Sequence, residues 1–254
     1  MIDTARAVRG RAPLLAATGH HPYVRHVLGR HDDAAGWLMP DAVAWLLPDG
    51  PGPAGGAFGA AGPALDLFAA LVADGTVRAG ERLHLPRVSP DELAARLPVA
   101  RHSDWDFLWT TAAPASRPGA ERVVRLTGAD LPELTALVAA AYPESTTHPG
   151  DEQVIDWYGI RDGDRLVACG ADRSRGDVGF LAGLAVTPTQ RGRGLGAALT
   201  VGMTRALFDR YDRVGLGVYT DNVGALRLYR GLGYTHSAPR STVRLVGSSA
   251  GCAS

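Results

Sequence analysis

One stretch limits the possible folds of this chain more than any other. It reads Leu184-Ala185-Val186-Thr187-Pro188-Thr189-Gln190-Arg191-Gly192-Arg193-Gly194-Leu195-Gly196-Ala197-Ala198-Leu199. An apolar strand stops at a proline, a basic glycine-rich turn follows, and an amphipathic helix begins at once. Glycines at alternate positions let the backbone take positive φ and approach a ligand without Cβ interference. Their N–H groups stand at the positive end of the new helix, and Arg191 and Arg193 add charge at its mouth. The stretch reads as a cradle for a pyrophosphate.

Two folds use such a cradle. A dinucleotide site would read Gly192-x-Gly194-x-x-Ala197, but its glycines must follow the strand directly, and Pro188 to Arg191 intervene. That fold also needs further strand–helix–strand units, for which too little chain remains. The second reading takes Arg191-x-x-Gly194-x-Gly196 after a strand ending in Val-x-Pro. This resembles the acyl-CoA-binding motif of the GCN5-related N-acetyltransferases. Downstream, Asn222-Val223-Gly224-Ala225-Leu226-Arg227-Leu228-Tyr229-Arg230-Gly231-Leu232-Gly233-Tyr234 is similar to the family's second signature, in the right order and at the right separation. The chain's one asparagine, Asn222, falls on the signature's asparagine.

The resemblance covers about residues 122–245 and implies a mixed-sheet α/β fold in the order βαβββαβαββ. It implies acetyl-CoA or another acyl-CoA as co-substrate and no metal. The strand before the cradle would be splayed from its neighbour, so that free backbone groups around Leu184, Ala185 and Val186 pair with the pantetheine arm. Residues Arg191, Gly192, Arg193, Gly194, Leu195, Gly196 and Ala197 would hold the pyrophosphate. Asn222, with Ala225 in the same motif, would stand near the junction of the two. Tyr229 would place its hydroxyl by the thioester sulfur and protonate it as it leaves, while a strand N–H of Val186 or Leu184 stabilises the oxyanion. Many relatives keep a glutamate on the central strand as base, but Val178–Val186 has none. Candidates elsewhere are His148, Glu152, Asp156 and Asp177, of which His148, in the segment expected to cover the acceptor, ranks first.

Composition excludes other chemistries. The chain has 26 Lys+Arg against 26 Asp+Glu, and every one of those basic residues is arginine. A Schiff-base enzyme and a P-loop both require a lysine. The even charge argues against nucleic acid as partner. Two distant cysteines, Cys169 and Cys252, point to neither a disulfide scaffold nor a zinc cluster, and a reducing cytoplasm is expected. The N-terminus lacks the apolar core of a signal peptide, and no stretch reads as a membrane span. His21, His26 and His31 step by five residues and share no helix face, which argues against a metal. Gly247-Ser248-Ser249-Ala250-Gly251 matches a nucleophile elbow but has no histidine after it.

The expected organisation is a first domain over 1–110, a linker over 111–120, a catalytic domain over 121–247 and a disordered tail over 248–254. In the first domain, helices are expected over 5–17 and 21–28, and strands over 36–39 and 42–47. A loop is expected over 48–62, a helix around Leu65–Val72, a strand over 82–86, a helix over 90–97 and a strand over 105–109. The ending of this half echoes the second half of an acetyltransferase domain, so it is read as a degenerate acetyltransferase-like lobe of a tandem or FR47-like protein. The leading function is N-acetyl transfer to a primary amine of a small molecule by a monomer or homodimer. The alternative is an acyl-CoA sensor without turnover.

Overall fold

A computed structural model describes residues 5–29, 31–48 and 52–247. The chain forms two compact units. The first takes the chain up to Asp106 together with the stretch from Ala238 onward, and the second spans Phe107–Ser237. Among the described residues no helix is long and apolar enough to cross a membrane.

The first unit runs β1 (Arg6–Arg9), α1 (Arg11–Ala17), α2 (Pro22–Leu28), β2 (Ala35–Leu38), β3 (Ala42–Leu46), β4 (Gly55–Gly59), α3 (Ala61–Ala73), β5 (Arg82–Pro86), α4 (Pro90–Ala94) and the start of β6 (Val99–Thr110). Strands β1 to β4 pair antiparallel in chain order, and β4 pairs parallel with β5. Its core packs Leu65, Phe68 and Leu71 of α3 against Ala44, Ala57, Leu83 and Leu85. Ser89 and Glu92 close a reciprocal capping box on α4.

Two expectations here are corrected. The helix expected over 5–17 opens with strand β1, which pairs with β2 from Arg6/Leu38 to Arg9/Ala35. Gly10, at φ 85°, then breaks the chain before α1. The loop expected over 48–62 contains β4, whose sequence Gly55-Gly56-Ala57-Phe58-Gly59 has only Phe58 to favour a strand. Its neighbours select those glycines: a Cβ on Gly55 would lie 2.5 Å from the Trp45 carbonyl oxygen, and one on Gly56 2.8 Å from that of His84.

The second unit runs from the end of β6 through β7 (Val124–Arg125), α5 (Leu131–Ala141), β8 (Asp156–Asp162), β9 (Arg165–Asp172), β10 (Gly179–Val186), α6 (Leu195–Phe208), β11 (Val214–Tyr219), α7 (Val223–Gly231) and the start of β12 (His236–Leu245). The strands stand in the order β6-β11-β10-β9-β8-β7. Leu199, Met203 and Leu207 of α6 pack on one side against Leu181, Val214 and Leu216. Leu134, Leu137 and Val138 of α5 pack with Leu166, Cys169 and Ala185. Thr127 and Asp130 close a reciprocal capping box just before α5. Glu133 accepts from the Leu166 N–H at 2.6 Å and from Arg161 at 2.9 Å.

The domain boundaries also differ from expectation. One strand, β12, closes the chain where two were expected, so the order from β7 onward is βαβββαβαβ and not βαβββαβαββ. Its residues Arg240–Arg244 pair antiparallel with Pro86–Arg82 of β5, which returns the end of the chain to the first unit. Residues 111–120 do not act as a free linker, because the Pro114 carbonyl accepts from Arg205 of α6 at 3.1 Å within the second unit. The tail expected over 248–254 lies outside the described residues.

Candidate active site

The site begins with a fork between two parallel strands. β10 and β11 pair at Gly179/Val214, Phe180/Gly215 and Leu181/Leu216, and there the pairing stops. On its other edge β10 stays paired with β9, but Ala182 faces Ala171 and Ala185 faces Cys169, so one extra residue is accommodated. Gly183 absorbs the bulge at φ 57°, and a Cβ there would stand 3.3 Å from the Thr147 Cβ. Beyond Leu181, the groups of Leu184, Ala185 and Val186 that face β11 have no strand to bond.

The cradle stands at the open end of that fork. A single 3₁₀ turn over Pro188–Gln190 leads to Gly192 and Gly194, both at φ 77°, and α6 starts at Leu195. Gly194 provides no side-chain cap, and the first bond into the helix runs from the Ala198 N–H to the Gly194 carbonyl at 3.0 Å. The N–H groups of Leu195, Gly196 and Ala197 are therefore left for an outside acceptor, where the helix dipole favours an anion. A Cβ on Gly196 would meet only Val186 Cγ2, at 3.9 Å, so the approach is open.

The two cradle arginines differ. Arg191 donates to the Ala141 carbonyl at 2.9 Å and the Val186 carbonyl at 3.4 Å, which fastens the turn to the C-terminal end of α5 and to the fork. Arg193 is exposed. Asn222 caps α7, its Oδ1 accepting from the Ala225 N–H at 3.1 Å, so its amide NH₂ is the end that remains for a ligand.

Tyr229 sits on α7, edge-on to Tyr234 at 6.1 Å, and the Tyr234 hydroxyl is in turn bonded to Thr204 at 2.7 Å. Burial, with Tyr142 nearby, pushes the Tyr229 phenol up to about 12, so it stays protonated at any working pH. Tyr142, which motif reading does not single out, stands at the end of α5. Burial raises its phenol first, with Tyr219, Asp221 and Glu144 adding to the shift, so the three phenols of Tyr142, Tyr219 and Tyr229 belong to one neighbourhood. Its one sequence signal is a tyrosine between a helix end and Pro143.

The base candidates are not gathered at the fork. Asp156 is taken by Arg125 at 2.6 Å. His148 and Glu152 are exposed in the segment between α5 and β8, and Asp177 lies in the turn between Arg175 and Val178. Among the described residues no group of three His, Cys, Asp or Glu side chains could hold a metal.

The first unit has a fork of its own, and it is filled. β4 pairs parallel with β5 only at Gly55/Leu83 and Gly56/His84. Just past that point Arg240, 2% exposed, donates to the Ala57 carbonyl at 2.5 Å and the His84 carbonyl at 3.2 Å. Its guanidinium stacks 4.1 Å over the Tyr23 ring. β4 leads into α3 through Gly59, at φ 100°, and Ala60, and Pro63 removes one N–H from that helix's first turn.

Residues 157–245 match the FR47-like protein family. A mycothiol acetyltransferase from Kineococcus radiotolerans is 49% identical over 61 residues, 24% of this chain and 20% of the relative. Another from Nocardioides sp. is 30% identical over 168 residues, 58% of this chain and 55% of the relative. The chain thus spans about half or less of these curated relatives. A crystal structure of a GNAT-family protein from Novosphingobium aromaticivorans is 26% identical, covering 81% of this chain and 89% of that one with a TM-score of 0.58. The match to the FR47-like family thus covers residues 157–245 alone, and the chain shares its fold with that GNAT-family structure.

Proposed function

We propose that the protein is an N-acyltransferase that moves an acetyl group from acetyl-CoA to a primary amine of a small molecule, by direct attack within a ternary complex. The observation that carries this reading is the pairing of an open β10–β11 fork with an uncapped α6 N-terminus at its mouth. The backbone of Leu184–Val186 offers donors and acceptors to an amide-bearing arm, like an added strand. The N–H groups of Leu195, Gly196 and Ala197 offer the anion site, with Arg193 adding charge and Arg191 holding the turn in place.

Acetyl-CoA supplies an activated acyl carbon on a thiol leaving group. The amine nitrogen bonds to that carbon, the carbon–sulfur bond breaks, and the ammonium proton passes to solvent. A β10 N–H of Leu184 or Val186 meets the charge that develops on the carbonyl oxygen. Tyr229 donates a hydrogen bond to the sulfur as it gains charge. No carboxylate sits on β10, so the protein contributes mainly by placing the partners together. The first unit is then a degenerate copy of the same lobe: β1 to β5 repeat the pairing senses of β7 to β11, with Arg240 in the place of the arm.

An assay of coenzyme A thiol release against a panel of amines tests the proposal. Release with at least one small amine, lost when Gly196 is replaced by Val, supports it. Tight acyl-CoA binding with no release for any amine favours the sensor, a reading kept in play by the absent strand carboxylate.

A further inference from the structure

Two arginines close to the β10 bulge have more positive charge than the protein answers. Arg173 follows β9, its N–H bonded to the Phe180 carbonyl at 2.8 Å, and Arg175 begins the turn into β10. Both guanidinium groups donate to the same neutral atom, Gln153 Oε1. Arg173 also donates to Thr147 Oγ1 at 3.2 Å, and the Asp151 carboxylate stands 3.6 Å away. That carboxylate is shared, since it also accepts from the Gln153 N–H at 2.9 Å. Arg173 Nε is buried and makes no hydrogen bond. Burial holds both guanidinium groups below the usual arginine range, and for Arg175 the charge of Arg173 adds to the effect. Two half-buried cations sharing one amide oxygen are an arrangement that an anion would relieve.

The position gives that anion a use. Thr147, which receives the Arg173 bond, is the side chain that a Cβ on Gly183 would touch at 3.3 Å. A single threonine therefore separates the Arg173 guanidinium from the bulge of the strand that lines the fork. We infer that Arg173 and Arg175 bind an anionic group, a carboxylate or a phosphate, on the acceptor amine. This rests on the acyltransferase reading for its role in turnover, but not for the binding itself. A planar guanidinium suits either group, since both present paired oxygens.

The test has two arms. In the first, inorganic phosphate is titrated into the full chain saturated with coenzyme A, which occupies the cradle, for the wild type and for Arg173→Gln, Arg175→Gln and Arg173→Lys. Binding weakened at least tenfold in both glutamine variants and partly kept in the lysine variant is expected. Equal affinity in all four overturns the inference. In the second, acceptor pairs differing only in the anionic group are compared: an amino acid against its amide, and phosphoethanolamine against ethanolamine. The wild type should favour one anionic member by at least tenfold in kcat/KM, mostly through KM. In Arg173→Gln that ratio should fall toward one. A preference that survives in the glutamine variants overturns the inference. If phosphate binds as expected but no amine is acylated, the acyltransferase reading fails and the anion site stands.

Discussion

Replacing Tyr229 by Phe removes one hydroxyl and leaves the edge-on contact with Tyr234 in place. The size of the loss follows from the phenol's position near 12. An alkyl thiol ionises near about 8.5, so complete transfer of the Tyr229 proton to a leaving thiolate is uphill by roughly 3.5 units, or about 5 kcal/mol. On the proposed mechanism the hydroxyl therefore acts by donating a hydrogen bond to sulfur as charge gathers there. Hydrogen bonds to charged groups contribute about 1.5–3 kcal/mol, so kcat for Tyr229→Phe should fall about 10- to 150-fold, with little change in the KM for acetyl-CoA. Because the phenol stays protonated, the wild type should show no loss of rate between pH 6 and 9 that is absent from the variant. The assay is steady-state thiol release across that range, repeated with a thioester whose thiol is more acidic. The better leaving group should shrink the gap between the two enzymes. A variant within twofold of wild type at every pH, or a gap indifferent to the leaving group, refutes the role.

Other expectations concern the first unit. Arg240→Met should lower unfolding stability by about 2 kcal/mol, seen as a lower denaturant midpoint at unchanged slope. Two buried carbonyls, of Ala57 and His84, lose their donor at about 1–3 kcal/mol each, offset in part because a guanidinium no longer has to be desolvated. His21 accepts from the Tyr23 N–H at the start of α2, and burial, with Arg240 nearby, lowers it to about 4 from an ordinary 6.5. The unfolded chain thus takes up the proton first as pH falls. The stability that His21 contributes is complete above pH 6.5 and lost between there and about pH 4, by at most about 3 kcal/mol. His21→Asn keeps a capping side chain and should flatten that part of the stability–pH curve; an unchanged slope counts against it.

What could be read from the sequence was what local chemistry writes. The turn from Pro188 to Gly194 and the motif from Asn222 to Tyr229 are short-range patterns, and the backbone follows them closely. β5, with its alternating Arg82 to Pro86, has the expected ends. The misses depended on distant neighbours. β4 is a strand because Trp45 and His84 leave room for nothing larger than glycine, which no propensity records. β12 belongs to the first unit because β5 offers it an edge, far away in sequence. Arg191, expected at the phosphate by charge, also gives two of its N–H hydrogens to the Ala141 and Val186 carbonyls, a role in holding the turn that its charge does not announce. Arg173 and Arg175, apart from Gln153 in sequence, gave no pattern at all before folding brought them to one amide oxygen.

On the proposed reading, one acyl-CoA binds at the α6 cradle and none in the fork that Arg240 fills. Calorimetric titration of acetyl-CoA into the wild type and Gly196→Val tests it directly. A side chain at Gly196 meets only Val186 at 3.9 Å, so the variant should fold as the wild type does while its isopropyl group blocks the first-turn N–H groups. One equivalent per chain is expected for the wild type, and at least tenfold weaker binding for the variant. Two equivalents, or equal affinity in both proteins, would contradict it.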